Sequence, residues 1–390
     1  MATIYQVTSV HPLDDARIEK MCLALTAAGH AVTLLGLGSP GKSPPKRGWK
    51  VQPCGVPSRN RVRRLLAQWR LFSILRRDKP DVIQFHDPEL LPMMLVLASC
   101  AEARQAVIYD MHENVAGSLK DRGYPRILPW LYDRLLRVAE ENLCIILAED
   151  SYREVVSHPW PVVHNFPILE PLPPLAREKQ MIYVGDVGAA RGALEMLRAF
   201  ALAALNSWKL VIVGPCREPG LMEKISAEAD RLGIADRLDM VGRVPPGELH
   251  NYLSRASVGL SILHPERNYL KCPPTKVFQY VACGLPAIVS DFPEYRRTFG
   301  RFSTVTFVNP TDIEAVARAM RDIALRLPSL LDACRSSSNE CAQRFDWSAE
   351  GIRLARAVEA LLNSNSGGSE GRRRFQLSED ANARDVSAAM

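Results

Sequence analysis

Short apolar runs alternate along the chain with stretches whose apolar residues return every three or four positions. Ile4–Thr8, Ala31–Leu35, Val82–Phe85, Ala106–Tyr109 and Leu143–Leu147 read as buried strands. Helical periodicity follows the first of them over Arg17–Ala28, where Gly29 can close the helix. Another helix follows His86, and a longer one spans Pro129–Asn142. A Pro-rich segment from Asn165 to Pro174 reads as a stiff linker. The alternation then resumes, with strands expected at Met181–Val184, Lys209–Val213, Leu238–Val241, Val258–Ile262 and Ala287–Val289. Helices are expected at Ala193–Leu205, Gly220–Leu232, Pro246–Ala256 and Thr275–Ala282. This order predicts an α/β chain of two doubly wound, Rossmann-like domains, 1–168 and 177–345. A last helix over 346–362 and a polar, disordered tail over 363–390 complete the expectation.

Composition changes this picture little. Hydrophobic residues make up 47% and charged residues 24%, enough for a core in each domain. The net charge of +6 is too mild to argue for nucleic acid, and none is expected as a partner. Nine scattered cysteines include no Cys-x-x-Cys pair, so neither a disulfide framework nor a zinc site is expected. The chain opens directly on a strand-like segment without a basic leader, and its apolar runs are too short to cross a bilayer. A soluble, cytoplasmic protein is expected.

Candidate chemistry gathers after the strands, where doubly wound sheets bind ligands. After the first strand comes Ser9-Val10-His11-Pro12-Leu13-Asp14-Asp15-Ala16-Arg17-Ile18. This is no Gly-x-Gly-x-x-Gly fingerprint, which argues against a dinucleotide enzyme. Asp14 or Asp15 can cap the helix, leaving His11 and Arg17 as binding candidates. His86-Asp87-Pro88-Glu89 follows the third strand. Asp87 reads there as an N-cap ahead of Pro88, and His86 as a residue of the cleft rim. Tyr109-Asp110-Met111-His112-Glu113 follows the fourth.

In the second half, Val184-Gly185-Asp186-Val187-Gly188-Ala189-Ala190-Arg191-Gly192 is a glycine-containing turn with a cation near its end, suited to phosphate. Gly242-Arg243 follows a later strand, where a backbone edge can hold a nucleobase. The strongest signal runs from Asn268 to Asp291. A helix starting at Thr275 offers its amides and dipole to a diphosphate, with Lys276 beside it and Gln279 one turn on.

Taken together, these blocks resemble the family 4 glycosyltransferases of bacterial polysaccharide synthesis, which have the GT-B fold, over about residues 3–362. The resemblance implies a retaining, metal-independent transfer from a nucleotide-sugar donor to a glycan or lipid-linked acceptor, with no cofactor. It implies that His112 contacts the transferred sugar, that Arg191 and Lys276 hold donor phosphate, and that Thr275–Val277 form the phosphate-binding helix start. His11, Arg17, His86, Glu113, Gly185, Gly242 and Arg243 join the substrate-binding set.

Three positions depart from the family pattern. Lys271 and Gln279 stand where the family's Glu-x7-Glu acids fall, and Asp186 stands where an arginine is common. Gln279 can still accept a ribose hydrogen bond, at a cost of about 1 kcal/mol against a carboxylate. These departures keep a sugar-nucleotide-binding scaffold without activity open as an alternative, and a nucleotide-sugar 2-epimerase stays open because it can share this architecture.

One feature lies outside this set. Between Lys42 and Lys79 twelve basic residues face a single acid, Asp78. A helix over Arg59–Arg77 would gather Leu65, Leu66, Trp69, Leu71, Phe72 and Leu75 into one stripe. Such a patch suits an anionic lipid surface on the inner face of the membrane.

Overall fold

The computed structural model describes residues 1–13, 15–37, 48–55, 61–100, 105–169, 177–363 and Phe375, and the side chains of all of these except Leu37, 61–65 and Pro246. The chain divides into two compact units, Met1–Asn165 with Trp347–Met390, and Phe166–Asp346.

The N-terminal unit is built on β1 (Thr3–Thr8), β2 (Ala31–Leu37), β3 (Lys50–Gly55), β4 (Val82–Phe85), β5 (Ala106–Met111) and β6 (Cys144–Leu147). They form one parallel sheet in the order β3-β2-β1-β4-β5-β6. Between them run α1 (Ala16–Ala27), α2 (Arg61–Asp78), α3 (Leu91–Ser99), α4 (Val115–Asp121) and α5 (Ile127–Asn142). Right-handed crossovers place α1 on one face and α2, α3 and α5 on the other, because the chain leaves β1 in one direction and β4 in the opposite one. The loops after β1 and β4 therefore part at the switch point of the sheet, where a crevice opens.

The C-terminal unit repeats this plan. Its strands are β7 (Gln180–Val184), β8 (Lys209–Val213), β9 (Leu238–Gly242), β10 (Val258–Ser261), β11 (Ala287–Ser290) and β12 (Val305–Val308), in the order β12-β11-β10-β7-β8-β9. Its helices are α6 (Ala193–Ala203), α7 (Leu221–Arg231), α8 (Pro246–Arg255), α9 (Arg267–Lys271), α10 (Thr275–Ala282), α11 (Pro293–Phe299), α12 (Ile313–Arg326) and α13 (Leu331–Phe345). Its switch point lies between β7 and β10. One core packs around Met196, Phe200 and Ile225 on one face of the sheet, and another around Phe278, Tyr295 and Phe299 on the other.

The edge strands β3 and β12 did not stand out in the sequence. Both are only partly buried and carry mixed side chains, with Pro53 inside β3, as edge strands permit. The expected apolar stripe on α2 is corrected. Ala67, Leu71 and Leu75 are buried, whereas Leu66 and Trp69 point to solvent. Ala67, Leu71 and Leu75 recur every fourth residue, and Trp69 sits half a turn away from that row. Asp14, most of the Pro-rich linker, the tail beyond 363 apart from Phe375, and Lys42, Lys46, Arg47 and Arg59 lie outside the described residues.

The last helix, α14 (Trp347–Asn363), returns to the N-terminal unit and packs against α1. Gly351 meets Ala24 there, and Lys20 Nζ lies 4.7 Å from the centroid of the Trp347 ring. Glu350 is buried, accepts the His164 backbone N–H at 2.8 Å, and pairs with Arg353. The His164 ring sits between Asp150 at 3.0 Å and Glu350 at 3.5 Å. Burial works against the imidazolium, but the two carboxylates outweigh it and raise its pKa to about 9.

A raised folded pKa contributes stability that is complete below the unfolded value near 6.5 and is lost as pH rises through about 9. Unfolding of wild-type protein should therefore become easier between these limits, by at most roughly 3 kcal/mol. His164→Gln should flatten the profile of denaturation midpoint against pH. An unchanged profile in that variant would show that the pairing carries no such stability.

Candidate functional site

In the N-terminal unit the residues after β1, β4 and β5 meet around one buried carboxylate. Asp110 lies inside the fully buried strand β5 and is itself 0% exposed. Arg17, the second residue of α1, reaches it with Nε at 2.9 Å and Nη2 at 2.7 Å, and gives Nη1 to the Val163 carbonyl. His86 places Nδ1 2.9 Å from the same carboxylate and Nε2 2.8 Å from Gln6 Oε1. Burial would push the Asp110 carboxyl up. Arg17, with the bonds from His112 and His86, instead holds it well below the usual range.

This arrangement corrects two expectations. Arg17 and His86 were expected to touch substrate. Both are buried, and the arginine fork and the two ring nitrogens are taken by protein partners. They position the site from beneath.

Asp87 is corrected as well. It precedes a short turn of 3-10 helix but makes no capping bond with its side chain. Its carboxylate crosses to the β1–α1 loop, where it accepts from Ser9 N, Val10 N and Thr8 Oγ1, and faces His11 Nδ1. Capping of α1 falls to Asp15, which accepts from the Arg17 and Ile18 amides.

His11 and His112 remain partly open, at 25% and 16% side-chain exposure. Their Nε2 atoms face each other at 3.2 Å, and their rings pack edge to face. His112 Nδ1 lies 3.1 Å from the Asp110 carbonyl, which can only accept, so that nitrogen carries a proton. The Asp87 carboxylate fixes a proton on His11 Nδ1 in the same way. A hydrogen bond between the two Nε2 atoms then needs one further proton. His11 is suited to carry it: burial lowers its pKa, but Asp87 more than reverses this and the net shift is upward. Glu113 is exposed just beyond this pair.

Within the C-terminal unit, Gly185, Arg191 and Lys276 come together at the switch point. Lys276 is the second residue of α10, which Pro274 precedes without a side-chain cap. Its Nζ is enclosed, has no hydrogen-bond partner, and sits 3.7 Å from the Tyr183 ring centroid. Burial and the charge of Arg191 push this ammonium well below the usual lysine range. Gly185 has φ +123°, and a Cβ there would lie 3.2 Å from Nζ, so glycine is required both by backbone and by space. Arg191 lies over the Tyr269 ring at 5.9 Å.

Thr275 is half-buried at the helix start and Gln279 half-buried one turn on. Val277 offers no side chain to a ligand: it is buried in the core, and its N–H already donates to the Pro274 carbonyl. Gly242 ends β9 at φ +75°, with Arg243 exposed beside it. Lys271 is exposed in the last turn of α9.

Among the described residues, the one His, Cys, Asp or Glu group close enough to hold a metal is His86, Asp110 and His112, with ligand atoms within 4.8 Å. Its donor set does not suit a cation, since Arg17 already occupies both Asp110 oxygens and His86 has both nitrogens engaged.

Residues 15–166 match a family described as a glycosyl transferase 4-like domain, and residues 169–337 match glycosyl transferases group 1. The chain is a glycosyltransferase of the GT-B, family 4 type. A curated relative of this glycosyltransferase is the GDP-mannose:cellobiosyl-diphosphopolyprenol alpha-mannosyltransferase of Komagataeibacter xylinus, 27% identical over 163 residues. The match takes in 41% of this chain and 40% of that protein, so the chain spans about two-fifths of its relative's length. The sucrose-phosphate synthase of Thermosynechococcus elongatus has a similar fold, with TM-score 0.73 and 17% identity over 93% of this chain and all of that one. So does Anabaena HepE, solved with UDP-glucose, with TM-score 0.72 and 11% identity over 92% of this chain and all of that one.

Asp87 and Asp110 were not singled out as site residues in the sequence. An acid inside an otherwise apolar strand was the available signal for Asp110, because a buried carboxylate requires a partner. For Asp87 the cap signal concealed the second role. The geometry yields a direct test. In wild-type protein His11 should titrate above 6.5. In Asp87→Asn its pKa should fall, because burial is then opposed only by the more distant Asp15 and Glu113. Histidine ring signals followed by NMR across pH would check this, and a His11 pKa unmoved by the substitution would refute the assignment.

Proposed function

We propose that this glycosyltransferase moves a sugar from a nucleotide-sugar donor to a glycan or lipid-linked acceptor in cell-surface polysaccharide synthesis, with retention at the reacting carbon and without a metal ion. The observation that carries the reading is Lys276. A lysine whose Nζ is enclosed without an acceptor, next to a second cation and a glycine that leaves room, is a site lacking its anion. A donor diphosphate supplies that anion. The uncapped start of α10 adds its amides. Arg191, Lys276 and these amides would stabilise the leaving diphosphate. Its oxygen can then take the acceptor proton, and no protein nucleophile is needed. Among substrate-facing groups, His112, His11 and Glu113 serve the sugar side, while Gln279, Gly242, Arg243, Lys271 and Thr275 serve the nucleotide side.

The polyprenol-linked substrate in the relative's name and the UDP-glucose in HepE support this choice of substrate classes. So does the basic stretch from Lys42 to Lys79, which suits a peripheral position on the inner face of the membrane. No described helix is long and apolar enough to cross a membrane.

Lys276→Met should weaken donor binding at least about tenfold, or 1.4 kcal/mol. Diphosphate binding should raise the lysine pKa, so it takes up a proton wherever the free side chain is neutral. Wild-type donor affinity should then fall as pH rises, and the variant should lose that dependence. Calorimetric titration of nucleotide sugars against pH checks both, and equal affinities in the two proteins would sink the diphosphate site. His112→Ala and Arg191→Ala should each lower turnover at least about tenfold, and activity should persist in excess EDTA. Loss in EDTA with recovery on adding manganese or magnesium would defeat the metal-free mechanism. Tight donor binding without transfer to any acceptor would favour the inactive scaffold that Lys271 and Gln279 keep open.

A further inference from the structure

Among the described residues, Lys276 is the one lysine whose Nζ is enclosed and has no hydrogen-bond partner. The Tyr183 ring centroid lies 3.7 Å from it. A Cβ on Gly185 would lie 3.2 Å from Lys276 Nζ and 3.9 Å from Arg191 Nη1, so the two basic side chains border the same small space. Burial and the charge of Arg191 work against the ammonium, and the attraction of Asp186 does not restore it. The chain without donor therefore favours a neutral, unbonded amine beside a fixed guanidinium. Exposed lysines such as Lys224 on α7 have no such surroundings.

A neutral amine is a nucleophile, whereas an ammonium is not. What this amine needs is an electrophile small enough to reach an enclosed nitrogen. Carbon dioxide has three atoms and no charge, so it enters without the desolvation that an anion suffers. Attack by Nζ forms one N–C bond, moves one C=O π pair onto oxygen, and releases one amine proton to solvent. The product is a carbamate, which turns the end of this side chain into an anion. Its planar pair of oxygens matches the fork of Arg191. The N-terminal end of α10, where Lys276 is the second residue, also favours negative charge.

We propose that Lys276 is a carbamylation site: in the absence of donor its Nζ takes up carbon dioxide, and the carbamate occupies the place that a diphosphate would fill. Carbamate and donor then exclude each other, and carbon dioxide restrains the enzyme until nucleotide sugar displaces it. The modification itself stands apart from the donor reading. Its consequence, competition with nucleotide sugar, rests on that reading.

The test uses the full chain, free of nucleotide, under isotope-labelled carbon dioxide at fixed pH and ionic strength. Carbon NMR should show a protein-bound carbamate. Trapping with an alkyl oxonium reagent, followed by mass spectrometry of peptides, should place it on Lys276. Lys276→Met should remove the signal, and Lys224→Met should leave it. Arg191→Gln should lower the yield at a given pressure of carbon dioxide, because the carbamate loses its partner. Asp186→Asn should raise it, because a neighbouring negative charge is gone. Cooperative melting of each variant shows that the fold is intact. Where about two-thirds of the protein is carbamylated, the apparent Kd for a nucleotide sugar should rise about threefold. A wild-type chain without labelled carbamate, or a signal that survives Lys276→Met, would overturn the proposal. Donor binding weakened by Lys276→Met would in that case still uphold the diphosphate site. A carbamate on Lys276 that leaves donor affinity unchanged would do the reverse: the modification stands, and the role of this lysine in diphosphate binding falls.

Discussion

The N-terminal unit depends on one buried charge. Asp110 lies fully buried near the carboxyl end of β5, and an ionised carboxylate there is tolerable only with full compensation. Arg17 provides it from α1, across the end of β1. His86 completes it from β4. Three separate stretches of sequence are thus held to one carboxylate at the switch point. Removing either charged partner would leave the other buried and unpaired, a loss of about 3–5 kcal/mol by comparison with similar pairs. The same bonds fix what lies above. The Asp110 carbonyl sets the His112 tautomer, and Asp87, two residues past the end of β4, holds His11 against it.

The C-terminal unit treats its buried charge in the opposite way. Lys276 has no hydrogen-bond partner at its Nζ; it lies against the face of Tyr183, and the repulsion of Arg191 and its own burial outweigh the attraction of Asp186. A folded chain carries such a destabilised group where a ligand completes it. The two units share a topology, yet the N-terminal one closes its network on itself while the C-terminal one leaves the Lys276 cation without a hydrogen-bond partner. That contrast distinguishes Arg17 from Arg191 and Lys276 more clearly than residue type does. Arg17 and Arg191 are both arginines near a strand end, but only Arg17 has its fork closed on a carboxylate.

How much was legible in the sequence follows the same division. The eight interior strands could be read because parallel strands covered on both faces are continuous apolar runs. The edge strands β6 and β9 were also read, from their own apolar residues, whereas β3, partly exposed and interrupted by Pro53, and the short β12 were not. The glycine turn after β7 and the start of α10 were legible from glycine, proline and lysine, whose backbone and charge properties act locally. The roles of Arg17 and His86 were not. Whether a polar side chain near a strand end faces solvent or a buried partner depends on a residue far along the chain. Here that residue is Asp110, 93 positions after Arg17. The return of α14 to the N-terminal unit was hidden for the same reason, since Glu350 finds His164 across 186 residues.

Asp87 shows how a local signal can be correct and still mislead. Asp-Pro ahead of a helical turn fits an N-cap in every sequence respect, and the residue does occupy that position. Its side chain nevertheless turns to a loop 78 residues earlier, because the Ser9 and Val10 amides and His11 offer more bonds than one short turn can. The short turn tolerates the loss, since its Leu90 N–H donates to the Asp87 backbone carbonyl at 3.0 Å. The carboxylate is thereby left to the loop, and it couples the end of β4 to the residues that follow β1.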